Sequence, residues 1–179
     1  MSSILKVDTI NENSSGGGVT IDGLKIKDVS AGSVMSKPIL QIVTGTTATD
    51  TGVQAETSYT DTGLSASITP TSTSSKIMVM VSQTLQVTRD GGNEIVGRVN
   101  IMRDTTEVGE WYFLAPAAGK AGPSQTSIAY VDSPSTTSAT TYKTQMKVDT
   151  TSNSGSCRAN QQAASGESTS SIHLIEIAG

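Results

Sequence analysis

The sequence is poor in aromatic residues, in charged residues and in cysteine. Of 179 residues, 3% are aromatic and 16% are charged, and Cys157 is the single cysteine. An intrachain disulfide is therefore excluded, as expected of a chain that folds in a reducing compartment. The formal net charge of −4 provides no attraction to nucleic acid or to an anionic membrane. No apolar run reaches the roughly 20 residues of a membrane helix, so membrane insertion is not expected.

Serine and threonine dominate what is present, with 52 positions between them. Valine and isoleucine are interspersed with clusters of Gly, Asn, Asp and Pro such as "RDGGNE" and "DSPSTTS". This composition favours short strands joined by many turns, and no helical periodicity longer than two turns interrupts it. We therefore predict an all-β fold: an antiparallel β-sandwich or jelly-roll-like domain of about eight strands.

Alternation along the predicted strands indicates which residues face the core. In "IVGRVNIMRD", Val99 and Ile101 lie opposite Arg98, Asn100 and Met102, and "TTYKTQMKVDT" alternates more regularly. The stretch "KIMVMVSQTLQVTRD" differs, because its first residues are apolar on both sides of the alternation. That run predicts a strand buried on both faces for half of its length.

The N-terminal stretch "VTIDGLKIKD" predicts a β-hairpin with a two-residue Asp-Gly turn. In that register Val19 faces Ile26 and Ile21 faces Leu24, so one face of the hairpin is apolar. An isolated hairpin is marginally stable in water, so this face needs a cover, either its own domain or another molecule. Three glycines precede the hairpin and the linker "VSAGSVMSKP" follows it. We predict an attachment or oligomerisation segment at 1–36, with interface residues Val19, Ile21, Leu24 and Ile26, and a β-sandwich head at 37–179.

The residues that could carry catalysis are few and scattered. His173 is the only imidazole and alternates with apolar neighbours, while Cys157 is predicted to lie in a loop with no base nearby. Glu107, Glu110 and Asp132 are candidates for the paired carboxylates of a glycan hydrolase, but they are interpreted as solvated turn residues. No phosphate-loop or metal-ligand spacing is present. We expect no enzyme activity, no cofactor and no metal site.

Three of the six aromatic residues are consecutive, in "EWYFLAP". In a strand, Trp111 and Phe113 share one face and Tyr112 lies on the other. One interpretation is that they fill the core or a subunit interface. The alternative is that Trp111 or Tyr112 is exposed and stacks on a sugar of a host surface polymer.

The two ends of the chain resemble a known group of proteins. The opening "ILKVDTINENSSGGGVTIDGLKIKD" is similar to that of short tail-fibre-like structural proteins of tailed bacteriophages, particularly marine ones. The stretches "TGLSASITPTSTSSKIMVMVS", "DSPSTTSATTYK" and "SSIHLIEIAG" look similar to the C-terminal domain of such proteins.

The resemblance implies a virion structural protein, a short tail fibre or fibre-like appendage that assembles in the bacterial host cytoplasm. Its partners would be two further copies of itself in a homotrimer, another virion protein held through the N-terminal segment, and a host surface glycan. Only about ten linker residues separate the hairpin from the head, where a long fibre would have a repetitive shaft. A capsid decoration or cement protein is therefore an alternative, and a glycan-cleaving tailspike is a third.

Overall fold

A computed structural model describes residues 38–90, 94–114, 124–161 and 168–179, together with the backbone of two short strands before them. The chain divides into two units, Met1–Pro38 and Ile39–Gly179. In the first unit, strands β1 (Val19–Ile21) and β2 (Leu24–Ile26) pair antiparallel. Val19 lies opposite Ile26 and Ile21 opposite Leu24, which confirms the predicted hairpin register. The predicted linker and the glycines at 16–18 lie outside the described residues.

The second unit is a β-sandwich, as predicted. Its strands are β3 (Ile39–Thr47), β4 (Thr60–Ile68), β5 (Lys76–Thr88), β6 (Val96–Arg103), β7 (Thr106–Leu114), β8 (Ser124–Asp132), β9 (Thr140–Val148), β10 (Ser156–Ala159) and β11 (Ser170–Ile177). Across the part of the chain that the structure describes, the only helical element is a single 3-10 turn, Ser152–Ser154.

Two antiparallel sheets form the sandwich. The first has the order β8-β5-β11-β3, and the short strand β10 pairs with the far end of β5 beyond β11. The second has the order β4-β9-β6-β7. Strand β5 spans 13 residues and pairs with three others, so it is the central strand of the first sheet.

The core between the sheets follows the predicted alternation in most strands. In β9 every second residue is buried, from Thr140 to Val148, and in β6 the buried set includes Val99 and Ile101. Strand β5 contributes Ile77, Val79 and Val81 to the same core. Burial of these apolar side chains is the main source of stability for a domain that has no disulfide.

A hydrogen-bonded polar cluster lies inside this core, where it joins the two sheets. Gln83 donates from its amide to Thr62 Oγ1 at 3.0 Å and to Asn160 Oδ1 at 3.1 Å. Thr144 donates to Gln83 Oε1 at 3.0 Å, and Ser170 donates to Asn160 Oδ1 at 2.7 Å. Each of these buried polar groups has a hydrogen-bond partner, so the cluster avoids the desolvation penalty of unpaired groups. The hydrogen bonds link β4, β5, β9 and β11 with the residue that follows β10.

Glu176 is a second buried polar residue, at the end of β11, and it is fully inaccessible to solvent. Its carboxylate accepts hydrogen bonds from Gln41 Nε2 at 2.6 Å and from the backbone N–H and hydroxyl of Thr71, both at 2.7 Å. Burial acts to raise the pKa of Glu176, but the hydrogen bonds from Gln41 and Thr71 outweigh it and lower the pKa to about 2. The ionised carboxylate thereby anchors β3 and the loop after β4 to β11.

We expect Glu176→Gln to destabilise the protein above about pH 4.5 and to cost progressively less as the pH falls toward 2. The folded-state pKa lies below the ordinary value of 4.5, so the contribution of this carboxylate is complete above 4.5 and is lost as pH falls through about 2. Charge-assisted hydrogen bonds of this kind contribute about 1.5–3 kcal/mol each. Urea unfolding at pH 7, 4 and 2.5 measures the difference, with the exposed Glu56→Gln as the control. A difference from wild type that is independent of pH would contradict this prediction.

Candidate assembly surface

The outer face of the first sheet is made of three rows of four residues that run across β8, β5, β11 and β3. The first row is apolar: Val131, Met78, Ile175 and Ile42. The second row holds Ala129, Met80, His173 and Thr44, and the third holds Ser127, Ser82, Ser171 and Thr46. We call these three rows the uncharged face, because none of them contains Asp, Glu, Lys or Arg.

Large apolar side chains of the uncharged face are accessible to solvent. Ile42 is 60% exposed, Val131 is 47% exposed and Met80 is 42% exposed, and Leu40 extends the apolar end of the face along β3. The prediction that β5 is buried on both sides for half of its length is therefore wrong. Its inward residues fill the core, whereas Met78 is half-buried and Met80 is exposed. The apolar run marks a surface, and contiguous exposed apolar patches on soluble proteins mark interaction sites.

A shallow depression of about 320 Å³ lies on the uncharged face, between the apolar row and the hydroxyl row. Its lining includes the small side chains of Ser82, Ser127 and Ala129 and the larger side chains of Met80 and His173. His173 is half-buried and its Nδ1 lies 2.9 Å from Thr44 Oγ1, within hydrogen-bonding distance. The histidine thus belongs to the surface rows of β11.

The outer face of the second sheet has the opposite character. Arg98 donates to Glu110 at 2.6 Å and to both carboxylate oxygens of Asp149 at 2.6 and 3.0 Å. Lys143 donates to Asp61 at 2.9 Å on the same side. The guanidinium of Arg98 holds the pKa of Asp149 below its ordinary value. These partly exposed pairs contribute little stability each, but they make this face strongly polar.

The predicted glycan-contact residues Trp111 and Tyr112 point to opposite sides of β7. Trp111 packs partly buried against the core, with its ring edge-to-face with Tyr130 at a centroid distance of 6.2 Å. Phe113 also packs inward, against Gly97. Tyr112 is 72% exposed on the charged side, next to Arg98 in the strand register. Trp111 and Phe113 share one side of β7, as predicted, and that side is the inner one. Of the two predicted glycan-contact residues, Tyr112 is the exposed one.

A second tyrosine belongs to this charged side. Tyr59 donates a hydrogen bond to Glu110, and Lys147 Nζ lies 4.6 Å above the centre of the Tyr59 ring. The hydrogen bonds from Tyr59 and Arg98 hold the pKa of Glu110 below its ordinary value. Glu110 therefore remains ionised and bound to two neighbours.

The other candidate catalytic groups are also engaged or buried. Glu107 accepts from Asn100 Nδ2 at 2.8 Å. Asp132 was expected in a solvated turn, which is wrong: it is 8% exposed and accepts from Arg103 and from the Tyr142 hydroxyl. Cys157 was expected in a loop and instead lies in β10 within the core, where burial raises the pKa of its thiol to about 11. These positions suit structural roles better than proton transfer or nucleophilic attack.

Within the described ranges, no group of three or more His, Cys, Asp or Glu side chains is arranged to hold a metal ion. Among the same residues, no helix is long and apolar enough to cross a membrane. By register, the hairpin residues Val19, Ile21, Leu24 and Ile26 share one face of the β1–β2 pair.

Comparison with known proteins adds no assignment to this picture. No protein-family model matches the chain. No curated protein is significantly similar to it.

Proposed function

We propose that this protein is a non-enzymatic structural protein of a tailed-bacteriophage virion, a short tail fibre or fibre-like appendage that assembles as a homotrimer. The observation that carries the proposal is the uncharged face, with Ile42, Met80 and Val131 accessible to solvent in an otherwise well-packed sandwich. A closed cyclic oligomer is the usual means of covering such a repeated surface. The sequence resemblance of both ends to phage fibre-like proteins supplies the biological setting.

The division of the chain into two units suits the role of a tail appendage. The hairpin of the first unit presents four apolar positions on one face, which suits attachment to copies of itself or to another virion protein. The sandwich of the second unit presents Tyr112 on a polar face, which suits contact with a host surface glycan because aromatic rings stack on sugars. Attachment to the virion and attachment to the host would then use different parts of the chain.

A capsid decoration or cement protein is the second candidate. The observation that favours it is the short connection between β2 and β3, which end and begin at Ile26 and Ile39 and leave no length for a fibre shaft. The number of copies per particle separates the two candidates. Tail appendages are present in few copies, whereas decoration proteins repeat over the capsid surface and are present in many.

The test is quantitative mass spectrometry of purified virions, with the major capsid protein as the internal standard. A ratio of a few to tens of copies per particle supports the tail appendage, and a ratio of hundreds supports decoration. Absence of the protein from purified virions would overturn both. Incubation with host polysaccharide followed by viscometry tests the hydrolase alternative, for which a fall in viscosity is required.

A further inference from the structure

The uncharged face differs along its length in a way that bears on what covers it. One end is apolar across all four strands, in the row that runs from Val131 to Ile42. The other end carries only hydroxyl groups, in the row that runs from Ser127 to Thr46. A partner surface must therefore be apolar where it meets the first row and able to form hydrogen bonds where it meets the third row.

We propose that the partner is the same face of another copy of the chain. In this arrangement the strands run along the axis of the oligomer, and each of the three rows lies at the same height along that axis in every copy. In a cyclic oligomer whose axis runs parallel to the strands, each row meets the same row of its neighbour. The apolar row then meets an apolar row, and the hydroxyl row meets a hydroxyl row. Hydroxyl groups both donate and accept hydrogen bonds, so a row of Ser and Thr is complementary to its own copy. This inference rests on the proposed oligomeric structural role and names the surface that it uses.

Charge gives an independent reason for a like copy. The chain has a net charge of −4, so contact between copies is least opposed where no charges lie. The three rows of the uncharged face meet that condition when like rows are aligned, whereas the outer face of the second sheet carries Asp61, Glu110 and Asp149. Self-contact through the second sheet would require those ion pairs to be desolvated or rearranged.

The size of the face indicates that it acts together with the N-terminal unit. Four strands about 4.8 Å apart, and three rows that span five residues rising about 3.3 Å each, give a footprint of roughly 19 by 17 Å. A stable interface covers about 800 Å² on each partner, which exceeds this footprint. We therefore expect the face to be necessary for assembly and insufficient without the hairpin.

The test compares two charge-matched variants of the full chain. Ile42→Lys with Val131→Lys places two charges on the uncharged face, on its two edge strands. Tyr112→Lys with Leu114→Lys is the control, since it replaces two exposed apolar residues on β7, an edge strand of the other sheet. All four side chains are outside the core, so circular dichroism and melting temperature should match wild type in both variants.

Sedimentation equilibrium at micromolar concentration gives the readout. We expect three times the monomer mass for wild type and for the control, and the monomer mass for Ile42→Lys with Val131→Lys. A face variant that keeps the full oligomer mass would overturn the inference and leave the proposed function standing. A wild-type chain that sediments as a monomer would overturn the oligomeric proposal itself. Monomers in both variants would assign the contact to both sheets and contradict the inference as stated.

Thiol protection provides a second measurement that needs no disruptive charge. The native thiol of Cys157 is buried and should not react. A thiol can be introduced at an exposed position by Ser127→Cys on the uncharged face, or by Ser67→Cys on the second sheet as the control. In the oligomer, we expect alkylation of the Ser127→Cys thiol to be at least about tenfold slower than in a monomer, because the contact excludes the reagent. The monomer for this comparison is made by adding Ile21→Asp with Leu24→Lys, which disrupts the apolar face of the hairpin. The Ser67→Cys thiol should react at the same rate in both. Equal rates at Ser127→Cys in the oligomer and the monomer would show that another partner or no partner covers this face.

Discussion

Replacing Asp132 with alanine is expected to destabilise the folded protein by about 3–5 kcal/mol, the cost of breaking a buried ion pair on one side only. Asp132 ends β8 in the first sheet and is 8% exposed. Its two oxygens lie 2.9 and 2.8 Å from Arg103 Nη1, and one of them accepts from the Tyr142 hydroxyl at 2.7 Å. Arg103 and Tyr142 belong to β6 and β9 of the second sheet, so this carboxylate joins the two sheets at one end of the sandwich.

The loss is large because two donors lose their acceptor, the buried Tyr142 hydroxyl and the partly buried Arg103 guanidinium. Tyr142 is fully buried, and both burial and the hydrogen bond to Asp132 raise the pKa of its hydroxyl, which therefore remains a donor at every working pH. Without the carboxylate, neither the hydroxyl nor the guanidinium of Arg103 has this acceptor. For a chain of this length, 3–5 kcal/mol corresponds to a fall in melting temperature of roughly 6–20 °C.

Thermal melting followed by circular dichroism measures the effect. Asp61→Ala is the matched control, because it removes an aspartate that pairs with Lys143 on an exposed face. Such surface pairs contribute about 0–1 kcal/mol. Asp132→Asn should fall between the two, since it keeps an acceptor for Tyr142 but not the charge for Arg103. An Asp132→Ala variant that melts within a few degrees of Asp61→Ala would show that the interior pair contributes no net stability.

The alternation of apolar and polar residues in β6 and β9 allowed their inner faces to be predicted correctly, because each of these strands has one face on the core and one toward solvent. In β5 the same reasoning failed. Met78 and Met80 are apolar but lie on the outer face, and a single strand gives no sign that its apolar outer residues belong to an exposed row. The row exists only through register with three neighbouring strands, which the sequence of one strand does not encode.

The interior polar groups were the other point at which the sequence was insufficient. Thr62, Gln83 and Asn160 are typical surface residues by composition, and their burial depends on hydrogen bonds between segments 21 to 98 positions apart. Thr62 faces that cluster because it continues the inward alternation of Leu64 and Ala66 along β4. Asp132 was placed in a solvated turn for the same reason, since Arg103 and Tyr142 are identified as its partners only once the sheets are packed.

We expect Ile21→Asp with Leu24→Lys to abolish trimerisation or virion attachment while leaving the sandwich of residues 39–179 folded. The two positions lie opposite each other in the β1–β2 register, on the face that also includes Val19 and Ile26. Burying four such side chains contributes on the order of 6–10 kcal/mol before ordering costs. Two charges in the middle of that face would remove most of this contribution.

The matched control uses the other face of the same hairpin. Thr20 pairs with Lys25, so Thr20→Asp creates the same opposed Asp and Lys pair on the side away from the four apolar positions. We expect the control to assemble and the Ile21→Asp, Leu24→Lys variant to sediment as a monomer, both with the circular dichroism spectrum and melting temperature of the wild-type sandwich. If the apolar-face variant still assembles, the hairpin is not an assembly element. If the sandwich unfolds with it, the hairpin is part of the core of the head, because only a segment packed into that core could carry the domain with it.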